Sequence, residues 1–219
     1  MPTLAATDAS ILIANVFDAP LFEAYATVQD GDSSSIVRLL SADGQDWEEG
    51  EAHTPGDHPA VTYDPVGVQW RMCRRLGGEV GCLRSDDGIS WAEGERVWAR
   101  DGVITPRWPV ALVMWDDAPL LFVFADRAGE GAIFVARHDG ASAFVLDESP
   151  VVWTPTGAAA AYARTDAVDL VVVGDDVRTF TSTDTLVWEG VATEPNALAG
   201  AAWIAADALY DAPWWWRSP

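Results

Sequence analysis

Short apolar, strand-like runs along this chain are separated by polar turns, and the turns recur at a fixed period. Ser41-Ala-Asp43-Gly44-Gln-Asp-Trp47 is followed by Ser85-Asp-Asp87-Gly88-Ile-Ser-Trp91. A degenerate copy runs Arg137-His-Asp139-Gly140 with Phe144 near the aromatic position, and a fourth reads Ser182-Thr-Asp184-Thr-Leu-Val-Trp188. The aspartates stand 44, 52 and 45 positions apart. A second motif falls between them: Phe17-Asp18-Ala-Pro20, Tyr63-Asp64-Pro65, Trp115-Asp-Asp117-Ala-Pro119, Thr165-Asp166-Ala and Tyr210-Asp211-Ala-Pro213. Each copy lies between two strand-like runs, and its aspartates stand 46, 53, 49 and 45 positions apart.

Two motifs interleaved at one period of about 45–50 residues match a four-stranded blade. The Asp-Ala-Pro motif turns the first strand into the second, and the Ser-x-Asp-Gly motif turns the third into the fourth. The predicted fold is therefore all-β: a five-bladed β-propeller in one domain, 1–219, with four Asp-box blades and a short fifth. The expected blades run approximately 9–52, 59–97, 109–149, 158–193 and 198–219 plus 2–7. Only eight residues follow Asp211, including Trp214-Trp215-Trp216. Because an open sheet edge invites aggregation, Thr3 to Thr7 is expected to pair near Trp214–Arg217 and close the ring. A neighbouring subunit over that edge is the other way to cover it.

Ser-x-Asp-Gly-x-x-Trp resembles the repeat of sialidases and other Asp-box (BNR) propellers, and is similar to the shorter turn of five-bladed glycoside hydrolases of the arabinanase and fructosidase type. The resemblance covers most of the chain and implies structural roles for Asp43, Gly44, Trp47, Asp87, Gly88, Trp91, Asp139, Gly140, Asp184 and Trp188. Asp caps the turn, Gly takes the left-handed conformation, and Trp packs between blades. In those hydrolases an acidic residue opens the inner strand of successive blades. Carried onto this chain, that pattern assigns Asp8 and Asp57 to base-side roles and Glu130 or Glu148 to the acid. Arg-Asp-Pro is not intact at 57–59, and Arg107-Trp108-Pro109 only faintly matches the Arg-Ile-Pro start of sialidases.

In an up-and-down blade both Asp turns lie at one end, so recognition is expected at the other. That end would carry Asp30, Asp32, His53, Asp57, Asp101 and the expected ligand set of His58, Trp98, Arg100, Arg107, Trp108, Arg127 and Trp153. Its longest connections are expected to be Gly50–Pro59, Glu95–Pro109 and Glu148–Gly157. Aromatic faces stack on sugar rings and Arg binds carboxylates or hydroxyls. His53 and His58 flank Asp57 in a Gly/Pro stretch, but no metal-binding spacing, phosphate loop or nucleophile motif is present, and no cofactor is expected.

Charge narrows the partners. The formal net charge is −21, and all 13 basic residues are Arg. Such an anionic surface disfavours nucleic acid and anionic membranes, and no apolar stretch reaches the ~20 residues of a membrane span. No basic region precedes the apolar run near the N-terminus, so no signal peptide is expected, and the expected location is the cytoplasm or a virus particle. Leu76-Gly77-Gly78-Glu79 reads as a two-residue hairpin turn that sets Cys73 opposite Cys82 in a non-hydrogen-bonded pair. A disulfide is geometrically possible there, but two packed thiols are the preferred reading for a reducing compartment. The expected function is non-catalytic recognition of a glycan or protein partner, in a virus or phage tail, fibre or capsid decoration; the alternative is a small five-bladed glycoside hydrolase.

Overall fold

The structure, a computed structural model, describes residues 9–16, 19–43, 45–100, 102–155 and 158–195. Among them there is no helix, and so none long and apolar enough to cross a membrane. The strands form successive antiparallel meanders. The first comprises β1 (Ala9–Val16), β2 (Ala19–Asp30), β3 (Ser33–Ser41) and β4 (Glu48–Pro55). The second comprises β5 (Asp57–Asp64), β6 (Gln69–Leu76), β7 (Glu79–Ser85) and β8 (Ala92–Ala99). The third has β9 (Ile104–Trp115), β10 (Ala118–Arg127), β11 (Glu130–His138) and a fourth strand split into β12 (Ala143–Leu146) and β13 (Val152–Trp153), both paired to β11. The fourth comprises β14 (Ala159–Ala163), β15 (Val168–Val173), β16 (Asp176–Ser182) and β17 (Glu189–Pro195).

The meanders stack face to face, and period-two alternation says why. In β10, Leu121, Val123 and Ala125 pack toward the second meander with Cys73, Cys82, Leu112, Phe134 and Phe144. Leu120, Phe122 and Phe124 point the other way, toward Leu170, Val172 and Trp188 of the fourth. A strand buried on both faces reads as a continuous apolar run, as Leu-Leu-Phe-Val-Phe-Ala does here. Tyr25, Ile36, Val61, Met72 and Leu83 fill the space between the first and second meanders. At the outer rim β8 and β12 pair in parallel, Ala143 opposite Arg96 through Leu146 opposite Ala99, fusing the second and third meanders into one nearly closed sheet.

The Asp turns have explicit chemistry. Asp43 Oδ1 accepts the backbone N–H of Gln45 and Asp46; Asp87 Oδ1 accepts those of Ile89 and Ser90. Asp139 accepts three such bonds and Asp184 two. These backbone donors hold each carboxyl below the ordinary aspartate range. Trp91 meets Tyr25 of the preceding meander edge to face at 5.8 Å, and Trp188 meets Phe122 likewise at 5.5 Å.

Three expectations are corrected. The stretches 50–59 and 95–109 are not long loops: Gly56 alone separates β4 from β5, and 100–103 joins β8 to β9. Gly56 permits this because its backbone lies so close to the Arg75 carbonyl that a Cβ would sit 2.6 Å from it. His58, Trp98, Arg107 and Trp108 therefore sit on strands. The Gly77-Gly78 hairpin does set Cys73 opposite Cys82, but the two are joined by a disulfide rather than left as thiols. The proposed fifth blade, its closure by Thr3 to Thr7, Asp8, Gly44, Asp101 and the Trp214–Trp216 cluster lie outside the described residues.

Candidate functional site

At the end opposite the Asp turns, the first strands of the second and third meanders are both interrupted by β-bulges. In β5, Asp57 pairs with Arg75 and Ala60 with Cys73, so β5 carries one extra residue. His58 lies in that bulge with a left-handed φ of 52°, an unusual conformation for a side-chain-bearing residue. In β9 the register slips twice, leaving Arg107 and Val110 unpaired with β10. Bulges re-aim side chains and are over-represented beside functional sites. The sequence marks these breaks with Pro59, Pro106 and Pro109, which cannot donate to a ladder.

The re-aimed side chains meet where the second and third meanders face each other. Arg75 Nε and Nη2 each donate to a different Asp57 oxygen at 2.7 Å. His58 Nδ1 is 3.1 Å from Asp57 Oδ1, and its backbone N–H donates to Thr27 Oγ1 of β2 at 3.1 Å. The His58 ring lies 5.2 Å from that of Trp108, tilted by 32°; the Arg75 guanidinium is 5.9 Å from the same indole. Phe124, the cross-strand neighbour of Trp108, stacks on it at 4.5 Å. Burial works to raise the Asp57 pKa, but the Arg75 and His58 hydrogen bonds and the Arg75 charge outweigh it, so the carboxyl titrates below its ordinary range. Asp57 is thus a committed carboxylate that orients an imidazole and a guanidinium. Trp108 has its ring faces engaged inside the protein and presents little open stacking surface.

The expected ligand residues fall into two places. His58 and Trp108 meet between the second and third meanders, and Arg107, next to Trp108 on β9, is ion-paired to Asp126. The other four lie on the outer flank. Arg127 donates to the Glu148 carbonyl at 2.5 Å, and Trp153 pairs with Ala132 on β13 and stays half exposed. Trp98, also half exposed, is opposite Val145. Arg100 and Glu148 line a cleft of 220 Å³ beside β12. Glu130 is exposed at the start of β11, opposite Arg127. Neither Glu130 nor Glu148 is a partner of Asp57. Sequence reasoning missed Arg75, Thr27 and Phe124; the Arg74-Arg75 pair entering a hairpin was the available signal. Among the described residues no three His, Cys, Asp or Glu side chains are grouped to hold a metal ion.

No protein-family model matches the chain, and no curated protein sequence matches it. Solved structures do. A fucose lectin from Aleuria aurantia in complex with α-methyl-L-fucoside superposes with a TM-score of 0.60 at 16% identity, covering 87% of this chain and 62% of the lectin. An α-L-arabinofuranosidase from Podospora anserina, solved with cellotriose, gives 0.62 at 15%, covering 93% and 72%. An endo-1,4-β-xylanase from Bacteroides thetaiotaomicron gives 0.63 at 15%, covering 88% and 74%. This chain spans less than two thirds of the lectin's length. With the stacked meanders, these likenesses define an all-β, propeller-type fold.

Proposed function

We propose that this chain is a glycan-recognising propeller whose contact surface is the groove between the second and third blades. The observation that carries the reading is the meeting of the β5 and β9 bulges, which gathers His58, Arg75 and Trp108 around the committed carboxylate of Asp57. The guanidinium donates to sugar hydroxyl oxygens and the imidazole can donate or accept, and both are already fixed, which lowers the entropic cost of binding. The lectin and glycoside hydrolase neighbours support the ligand class. In this reading the four meanders are Asp-box blades of a five-bladed ring that 198–219 and 2–7 complete. The virus-particle setting expected from the sequence gains no support from these neighbours and is not part of the proposal.

The test is titration calorimetry on hits from a glycan array. Arg75→Ala and His58→Ala should each weaken binding by about tenfold or more, with Arg75→Lys recovering little because the two-pronged geometry is lost. Unchanged affinity in both alanine variants would remove the groove as the site. The glycosidase alternative is favoured by the two hydrolase neighbours. It requires two carboxyl groups roughly 5–10 Å apart around the scissile bond, whereas Asp57 is held by Arg75. Turnover of nitrophenyl pentosides or hexosides that Asp57→Asn abolishes while binding persists would establish the alternative.

A further inference from the structure

We propose a second, separate ligand site in the outer-rim cleft between the second and third blades, taking one uncharged, ring-sized polyol such as a neutral monosaccharide residue. The ligand class rests on the glycan-recognition reading above; the place rests on different residues. The cleft encloses 220 Å³, below the usual range for drug-sized ligands and suited to a single ring. Val145 and Leu146 of β12 give it an apolar wall. Because β12 pairs with β11 on one side and β8 on the other, that wall belongs to one sheet spanning two blades.

Most polar groups lining the cleft are already committed. Arg137 is tied to Asp147 and to Thr185 of the fourth blade. His138 bridges Glu95 of the second blade and the Gly140 N–H. Asp139 caps its own turn. Of the charged side chains lining the cleft, those of Arg100 and Glu148 have no hydrogen-bond or ion-pair partner among the described residues. The result is one guanidinium and one carboxylate over an apolar wall, in a frame braced by three blades. The guanidinium donates to ring and hydroxyl oxygens, the carboxylate accepts from hydroxyls, and a C–H face lies on Val145 and Leu146. One charge of each sign asks for no net charge on the ligand, and a chain at −21 repels anions.

The test uses nitrogen-15 NMR on the full chain, titrated with methyl glycosides of neutral hexoses, 6-deoxyhexoses and pentoses. Trp98, opposite Val145, reports the cleft through its indole N–H; Trp108 reports the groove. Saturable shifts at Trp98 and the Arg100 Nε signal are expected, with affinity falling about tenfold in Arg100→Ala and comparably in Glu148→Gln. Both residues are exposed, and an unchanged melting temperature confirms that the variants fold. Shifts confined to Trp108 would overturn the cleft and leave the groove standing. Shifts confined to Trp98 and Arg100 that His58→Ala leaves intact would support the cleft and overturn the groove. No shift with any glycoside would overturn both.

Discussion

Replacing Gly88 by alanine should cost far more than replacing Gly140, although both occupy the same turn position with a left-handed φ, 70° and 80°. At Gly140 a Cβ would meet nothing within 4 Å, so the cost is conformational strain, about 1–2 kcal/mol. At Gly88 a Cβ would come within 2.9 Å of the Tyr25 hydroxyl oxygen. That hydroxyl is fully buried, 2.5 Å from Glu23 Oε1 and 3.0 Å from the Gly88 carbonyl oxygen. Displacing it strands buried hydrogen-bonding groups, one of them charged, adding about 2 kcal/mol. Gly88→Ala should therefore lose about 3–4 kcal/mol against 1–2 for Gly140→Ala. For a chain of this size that difference is roughly 4–8 °C in melting temperature. Urea unfolding of both variants measures it, and Tyr25→Phe supplies the control. Without the hydroxyl, the gap between the glycine variants should close to within about 0.5 kcal/mol, as expected for directly coupled sites. Equal costs in the Tyr25 background, or a gap that survives Tyr25→Phe, would refute the contact as the origin.

Thr185 takes a φ of 60° where Gly88 and Gly140 stand in their turns, and its hydroxyl oxygen accepts from Arg137 Nη1 at 2.6 Å. Thr185→Gly should be neutral or destabilising in the native background but stabilising by about 1 kcal/mol with Arg137→Ala, because only strain is then left to relieve; paired denaturation curves give the sign. Removing the Cys73–Cys82 disulfide, which closes a separation of nine residues, should cost about 2.5 kcal/mol on the chain-entropy account, read as a lower urea midpoint with the strand content unchanged by circular dichroism. Asp57, Asp64 and Glu95 all have pKa values below the ordinary range: burial works to raise them, but arginine bonds and charges, and at Asp64 first the Gly67 backbone N–H, outweigh it. Their contribution is complete above the unfolded-state values near pH 4 and is lost as pH falls through the lower folded values. Partial protonation of the exposed carboxylates first relieves self-repulsion, so the urea midpoint should peak near about pH 5 and drop steeply below about pH 4; a midpoint falling steadily from pH 7 would contradict this.

Turn chemistry was the most readable layer of the sequence, because each Asp turn is specified within a few residues. Asp43, Asp87, Asp139 and Asp184 accept the N–H groups two and three positions ahead, and no distant contact is needed for that. The Gly77-Gly78 hairpin was readable for the same reason, and its register follows by counting. Its oxidation state was not, since sequence geometry permits either form. The bulges were harder. Period-two reading assumes an unbroken ladder, so 50–59 and 95–109, with their prolines and glycines, looked like loops when they are mostly strand. Residues that act only through the tertiary fold left little trace: Arg75 reaches Asp57 across β5 and β6, and nothing local distinguishes it from Arg74. The four acidic candidates illustrate the limit. Glu130 and Glu148 follow the right residue types, but Glu130 opens β11 and Glu148 lies between β12 and β13 of the third meander, away from the β5 start that holds Asp57.

Long-range side-chain bonds latch neighbouring blades together at the Asp-turn end. Tyr25 of the first blade meets the Gly88 carbonyl of the second, His138 of the third holds Glu95 of the second, and Arg137 of the third donates to the Thr185 carbonyl of the fourth. Two of these latches end on an Asp turn, and the third starts from a residue next to one. Arg71 adds to the middle latch by joining Asp64 and Glu95 beneath the surface. In a chain without lysine, every such cation is a planar guanidinium able to hold two partners at once. With the blades locked at the Asp-turn end, the opposite end can hold His58 in its strained bulge. Strain of this kind persists only where the surrounding structure over-determines the fold; His58 in its bulge and Thr185 within a latch are both held that way.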